Sequence, residues 1–265
     1  MTFMTRNESP ALIGVVHLPP LPGSPAGGPG LQACLDAALR DAEALADGGA
    51  VGVIVENLGD APFEPAAVEP HVVAMLGVIA REVRQRFGER LAVGVNALRN
   101  DAAGAIGAAA AAGACFVRVN VHTGAMVTDQ GLIQGRARET LLYRSRVAPG
   151  VGIAADVLVK HAAPLGPADL TQVARDTWHR GRADALIVTG SGTGQPTSPA
   201  DLATVREAVP SCVLWLGSGL SPASAPAARG YLDGAIVGTW LHRDADLAAP
   251  LDVERVRRMV GALRG

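Results

Sequence analysis

The sequence predicts a single (β/α)8 barrel, on three observations. Eight short runs rich in Val, Ile and Leu recur along the 265 residues, alanine-rich stretches with helix punctuation separate them, and no linker-like run divides the chain. A parallel strand buried on both faces reads as a nearly continuous apolar run. Eight strand–helix units in about 250 residues are what such a barrel requires. An open doubly wound sheet is the competitor, but it rarely uses eight units in sequence, and the GxGxxG fingerprint is missing after the first run.

Taken in order, the strands are ALIGVVH (11–17), VGVIVEN (51–57), LAVGVN (91–96), CFVRVNV (115–121), VGIAADV (151–157), ADALIVTG (183–190), CVLWLGSG (212–219) and DGAIVGTW (233–240). The proline-rich PPLPGSPAGGPG (19–30) lies between the first strand and the first helix. It reads as a long, partly rigid loop on the catalytic face. SPADL (198–202) and SPASA (221–225) set Ser at an N-cap and Pro at the first helical position, and GPADL (166–170) opens a helix similarly. Gly48, Gly113, Gly181 and Gly230 fall shortly before strands, where helix C-caps belong. A last helix is expected at about 252–263, and residues 1–10 as a flexible N-terminal segment of the one domain, 1–265.

Composition narrows the function classes. Hydrophobic residues make up 49% but aromatics only 3%, so Ala, Val, Leu and Ile are expected to fill the core. A net charge of −2 with 18% charged residues argues against broad electrostatic binding to nucleic acid or an anionic membrane surface. Cys34, Cys115 and Cys212 are far apart and not in metal-ligand spacing, so they read as buried thiols in a reducing compartment. With no apolar signal core at the N-terminus and no membrane-length apolar run, the expectation is a soluble cytoplasmic protein. Self-association is expected on general grounds, as a homo-oligomer.

Polar residues gather at the C-terminal strand ends, where this fold carries its chemistry. The first strand ends in His17, the second in Glu56 and Asn57 with Asp60 beyond, and the third in Asn96, followed by Arg99, Asn100 and Asp101. The fourth carries Arg118 and Asn120, the fifth Asp156 with Lys160 and His161 after it, and the sixth ends in Thr189. Alternation puts Arg118 and Asn120 on one face, and Asp156, Leu158 and Lys160 together if the strand stays extended. Buried charges need partners, so Glu56, Arg118 and Asp156 are expected to form a network across the mouth.

Glycine-rich turns follow the last three strands. Gly217–Ser218–Gly219, Gly238–Thr239 and the TGSGTG segment with Gly190 and Gly192 would let backbone N–H groups approach an anion. The loops after strands 7 and 8 are where this fold frequently binds phosphate, so the expected partner is a phosphorylated small molecule. The nucleotide loop GxxxxGK[ST] is absent, so an NTPase reading is poor.

VVHLPPLPGSP (15–25), VIVENLGDAPF (53–63), GVNALRNDA (94–102), FVRVNV (116–121), TDQGLI (128–133), ADVLVKH (155–161) and DALIVTGSGTG (184–194) together resemble the BtpA/SgcQ family, in order and over nearly the whole chain. The resemblance implies a TIM barrel of the phosphate-binding type. It also implies the label of photosystem I biogenesis borne by cyanobacterial members, although nothing here looks specific to photosynthesis.

Lys160 sharpens the functional expectation. The chain has 23 basic residues, and Lys160 is the only lysine among them. Arginine does not deprotonate in proteins, whereas lysine does. Two mechanisms fit an enzyme of a phosphorylated sugar or nucleotide-like metabolite. Lys160 forms a Schiff base with a carbonyl, or Lys160 and Asp156 act as acid and base in lyase, aldolase or isomerase chemistry, with His17 or His161 as a second proton carrier. Glu56 and Asn96 would lie near the reacting carbon. A divalent metal such as Mg²⁺ on Glu56, Asp60 and Asp156 is a third candidate. The alternative class is a non-catalytic assembly or regulatory factor. Trp178, Trp215 and Trp240 read as packing residues. His71, His179 and His242 read as solvated side chains, His122 as one close enough to reach the site, and Arg255, Arg257 and Arg258 as the solvated face of the last helix.

Overall fold

The computed structural model describes residues 4, 6, 9–190 and 197–265. Eight parallel strands close into a barrel: β1 (Ala11–His17), β2 (Gly52–Glu56), β3 (Ala92–Asn96), β4 (Phe116–Val119), β5 (Gly152–Val157), β6 (Ala185–Val188), β7 (Leu214–Leu216) and β8 (Gly234–Val237). Each pairs with its sequence neighbour, and β8 closes on β1 with Ala11 opposite Gly234. All eight expected strands are present, each trimmed at one or both ends except the first. Around them lie α1 (Leu31–Gly48), α2 (Pro70–Phe87), α3 (Ala102–Ala112), α4 (Ala137–Val147), α5 (Leu170–Arg175, continued by a π turn over Asp176–Arg180), α6 (Pro199–Ala208), α7 (Ala225–Ala228) and α8 (Val253–Arg264). No helix among the described residues is long and apolar enough to cross a membrane.

Local chemistry explains most boundaries. Ser198 caps α6 by accepting from the Ala200 N–H, with Pro199 as the first helical residue. Gly113 ends α3 in the left-handed region at φ 69, while α1 is ended by Gly49 at φ 88, one residue beyond the expected Gly48. Two helix starts differ from expectation. In GPADL the cap is Asp169, which accepts from Thr171 N–H, so α5 begins at Leu170. In SPASA the Ser221 and Ser224 hydroxyls bond each other and the turn backbone, so α7 begins at Ala225. Of residues 1–10, Met4 packs against the barrel core and Arg6 approaches Asp233 at 3.6 Å.

One element was not expected. Ala125–Thr128, Gly131–Gln134 and Ala162–Pro164 form a small antiparallel sheet beside the loops after β4 and β5. Gly131, at φ 100, makes the tight turn between the first two strands.

The period of two divides the barrel into two apolar layers. Inward positions such as Ile13, Val15, Ile54, Phe116, Ala154, Ile187, Trp215 and Ile236 form one cluster. Outward positions such as Leu12, Val16, Val53, Val55, Val117, Val119, Leu186 and Leu214 join the helices in the larger one. The centre is not purely aliphatic, because Phe116 and Trp215 meet there edge to face at 5.5 Å. Gly94 is required beneath them: a Cβ there would lie 2.3 Å from the Phe116 ring.

A candidate active site at the barrel mouth

The same alternation that fills the barrel leads upward into a polar rim. Continuing the inward sequence Ile13, Val15 gives His17, Ile54 gives Glu56, Gly94 gives Asn96, Phe116 gives Arg118, and Ala154 gives Asp156. Register then sets His17 opposite Glu56, and Glu56 opposite Asn96, so three strands present these side chains at one level. Asn96 Nδ2 donates to Glu56 Oε2 at 2.6 Å.

Arg118 and Asp156 form a buried, bidentate pair, Nε to Oδ1 at 3.2 Å and Nη2 to Oδ2 at 3.0 Å. Asn120, one residue beyond β4, donates to the same Oδ2 at 3.0 Å. The expected three-member network is therefore a pair with an amide clasp, and Glu56 belongs to Asn96 instead. Asp156 is the counter-ion of Arg118. Asn120 Oδ1 is buried without a hydrogen-bond partner among the described residues.

Lys160 reaches the mouth, though not by the expected route. β5 stops at Val157, and Leu158 (φ 56) and His161 (φ 56) take left-handed backbone on either side of Lys160. Alternation ends there, and the small sheet takes the chain away from Ala162 onward. Arg99 Nη2 donates to the Lys160 carbonyl at 2.7 Å and holds this turn over the barrel. Burial, with the Arg118 charge as the next cause, pushes the Lys160 ammonium below its ordinary pKa, against the pull of Glu56 and Asp156. His161 is exposed and does not line the mouth cavity.

A cavity of about 530 Å3 opens at this end. His17, Glu56, Arg118 and Lys160 line it together with Gly217, Ser218, Gly219, Gly238 and Thr239. The glycines have packing reasons of their own. A Cβ on Gly217 would lie 2.5 Å from Ile187 and one on Gly238 2.5 Å from the His17 ring, and Gly219 has φ +73. Gly190 N–H donates to Ser218 Oγ at 3.0 Å, so the β6 and β7 loops are tied together. Gly192 lies outside the described residues.

The suggested metal ligands are not gathered. Asp60 accepts from Leu21 N–H at 2.7 Å and Asn57 Nδ2 at 3.0 Å, which anchors the proline-rich loop. With Asp156 paired to Arg118, no group of three or more His, Cys, Asp or Glu among the described residues is placed to hold a metal ion.

Several residues carry more than the sequence reading gave them. His242 is buried, with Nε2 3.3 Å from His17 Nδ1 and Nδ1 2.5 Å from the Ala249 carbonyl. Its only sequence signal is its place four residues after Gly238. Asn57 accepts from Leu98 N–H and so links the β2 and β3 loops. Arg255 donates to the Trp240 carbonyl and lies 4.5 Å over the indole, so it is not simply solvated. His122 turns away from the mouth, its Nε2 2.8 Å from the Gly181 carbonyl.

A closed barrel of eight parallel strands with helices between them is a TIM barrel. In fold it is similar to tryptophan synthase of Mycobacterium tuberculosis (TM-score 0.61, 17% identity, 97% of this chain and 93% of that one). It is also similar to phosphoribosyl anthranilate isomerase of Thermus thermophilus (TM-score 0.56, 13% identity, 96% and 98%). Residues 8–265 match the BtpA family, and the chain belongs to it. The photosystem I biogenesis protein BtpA of Synechocystis is 42% identical over 262 residues, covering 99% of this chain and 90% of the relative. A Thermococcus kodakarensis protein is 43% identical over 253 residues, covering 96% and 95%.

Proposed function

We propose that this chain is an enzyme that acts on a phosphorylated carbonyl compound through a Schiff base on Lys160. The observation that carries the reading is the position of the chain's only lysine: it lines one cavity with the glycine turns after β7 and β8, beside Arg118. Burial and the Arg118 charge favour the neutral amine, which is the nucleophile. The amine attacks the carbonyl carbon, a C–N bond forms, and the carbonyl oxygen leaves as water after protonation. The phosphate rests on the Gly217–Gly219 and Gly238–Thr239 turns, as is frequent in this fold, and on backbone N–H groups other than that of Gly217, which donates to the Val188 carbonyl at 2.8 Å. Glu56, oriented by Asn96, and His17 serve as the proton carriers. The name of the Thermus fold neighbour, an isomerase of a phosphoribosyl compound, is consistent with this class. A cavity of about 530 Å3 suits such a ligand.

Borohydride trapping tests the reading. Incubation with a panel of aldose and ketose phosphates should give a reduced adduct on Lys160, absent from Lys160→Arg and from the unphosphorylated sugars. No adduct across the panel would remove the Schiff base. The name of the Synechocystis relative favours a second reading, an assembly factor in which the barrel is a binding module. That reading requires Lys160→Arg to leave the phenotype of the intact protein unchanged.

A further inference from the structure

Two histidines from opposite ends of the sequence meet at the mouth. His17 ends β1, and His242 follows the short 3-10 turn Thr239–Leu241 after β8. Their rings lie nearly coplanar, 17° apart, with centroids at 5.5 Å. His242 Nδ1 is 2.5 Å from the Ala249 carbonyl oxygen, which can only accept, so His242 Nδ1 carries a proton. In neutral His242 the other nitrogen, Nε2, is then an acceptor. It lies 3.3 Å from His17 Nδ1, which must donate to it. His17 is left with a lone pair on Nε2, and that edge of the ring faces the Gly238 turn: a Cβ on Gly238 would be 3.0 Å from Nε2 and 2.5 Å from Cε1. His17 lines the mouth cavity, and Nε2 makes no hydrogen bond to any described residue.

We infer that His242 is a positioning residue: through the chain Ala249 carbonyl, His242, His17, it fixes His17 as the Nδ1–H tautomer and directs the Nε2 lone pair at a hydroxyl of the ligand, next to the phosphate turn. The role assigned to the ligand hydroxyl rests on the proposed function; the tautomer does not. The surroundings favour neutral His17. Burial pushes its pKa down to about 4, His242, Lys160 and Arg118 act in the same direction, and Glu56 opposes them. Burial raises the Asp41 carboxyl, and Arg40 first and the His242 charge after it oppose the rise. A neutral imidazole with a fixed lone pair accepts a hydroxyl hydrogen bond from the ligand. When that hydroxyl ionises, the proton moves to Nε2, the electron pair stays on the substrate oxygen, and His242 Nε2 still accepts the Nδ1–H of the resulting imidazolium. This is the same division of labour by which a second group sets which nitrogen of a catalytic histidine is basic.

The test is the histidine tautomer, read by long-range 1H–15N NMR on the full chain labelled at histidine, with His17→Asn to assign the signals. At neutral pH wild-type His17 should be protonated on Nδ1 alone, and in His242→Phe it should lose that preference. The same variant should slow formation of the borohydride-trapped Lys160 adduct by about 100-fold, the low end of what a positioned acid–base group contributes. A wild-type His17 protonated on Nε2 overturns the inference, as does a tautomer unchanged in folded His242→Phe. If His242→Phe fails to fold, the wild-type tautomer still decides. Absence of any trapped adduct with the expected tautomer present would sink the Schiff base and leave the relay standing.

Discussion

The two halves of the barrel mouth are built from different chemistry. From β1 to β5 the rim is ionisable and amide: His17, Glu56, Asn96, Arg118, Asp156, and then Lys160. From β6 to β8 it is small: Thr189, Gly217, Ser218, Gly219, Gly238 and Thr239. In the first half side chains do the work and hold one another, as in the Arg118–Asp156–Asn120 cluster. In the second half side chains are removed so that backbone comes to the cavity wall, and what remains is packed against the first half, as Gly238 is against His17. The contrast teaches that the mouth divides its tasks. On the proposed reading, one side would supply groups that move protons or attack carbon, and the other space and backbone dipoles for a group that only has to be held.

The largest way to test that division is to break the charged half. Arg118→Met leaves Asp156 buried with Asn120 as its only clasp, and removing one partner of a buried pair costs about 3–5 kcal/mol. Urea unfolding should show a loss in that range. Replacing both partners, Arg118→Met with Asp156→Leu, should recover most of it, because no uncompensated charge is left. Thr239→Ala, on the small half, should stay within about 1 kcal/mol of wild type. If Arg118→Met is as mild as Thr239→Ala, the charged half is not held together as described.

Much of this contrast was legible in the sequence, because it follows from period two and strand order. The run LIGVVH already sets Ile13, Val15 and His17 on one side, and FVRVN does the same for Phe116, Arg118 and Asn120. Partners across the barrel were not legible. Nothing near Glu56 in the chain says that Asn96, 40 residues on, donates to it while Arg118 goes to Asp156. Backbone reversals were hidden too. Leu158 is an ordinary strand residue by composition, yet its φ of 56 ends the alternation and makes Arg99 the group that seats Lys160. His242 was unreadable for the same reason. It looks like a surface residue until the 3-10 turn after β8 folds it onto His17, 225 positions away.

A pH experiment probes the charged half more gently. His17 is held at about 4 against an ordinary 6.5. Between those values the unfolded chain binds a proton that the folded one does not, so folded stability is full above 6.5 and falls as pH drops toward 4. The shift corresponds to about 3 kcal/mol at most. Asp41, raised by burial, acts in the opposite sense, and His122, lowered by burial, in the same sense, so the difference from a variant is the useful quantity. His17→Gln should flatten the fall in stability between pH 6.5 and pH 4, measured by denaturant unfolding at each pH. An identical fall in wild type and His17→Gln would mean that His17 is not shielded at the mouth.

The smallest effect belongs to the other half, and it decides whether the small residues there do more than pack. If the Gly217–Gly219 and Gly238–Thr239 turns hold phosphate, inorganic phosphate at ten times its Kd should stabilise the folded chain by about 1.4 kcal/mol. Chloride at matched ionic strength should not. Gly238→Ala should abolish that increment, because the new Cβ would fall 2.5 Å from the His17 ring and the turn or the ring must shift. The variant's own stability serves as the baseline, so a packing loss is not mistaken for a binding loss. Phosphate that stabilises Gly238→Ala as much as wild type is not bound at this turn. The glycines there would then be explained by close packing against His17 and Ile187 and by the positive φ of Gly219, and the two halves of the mouth would differ in shape without differing in task.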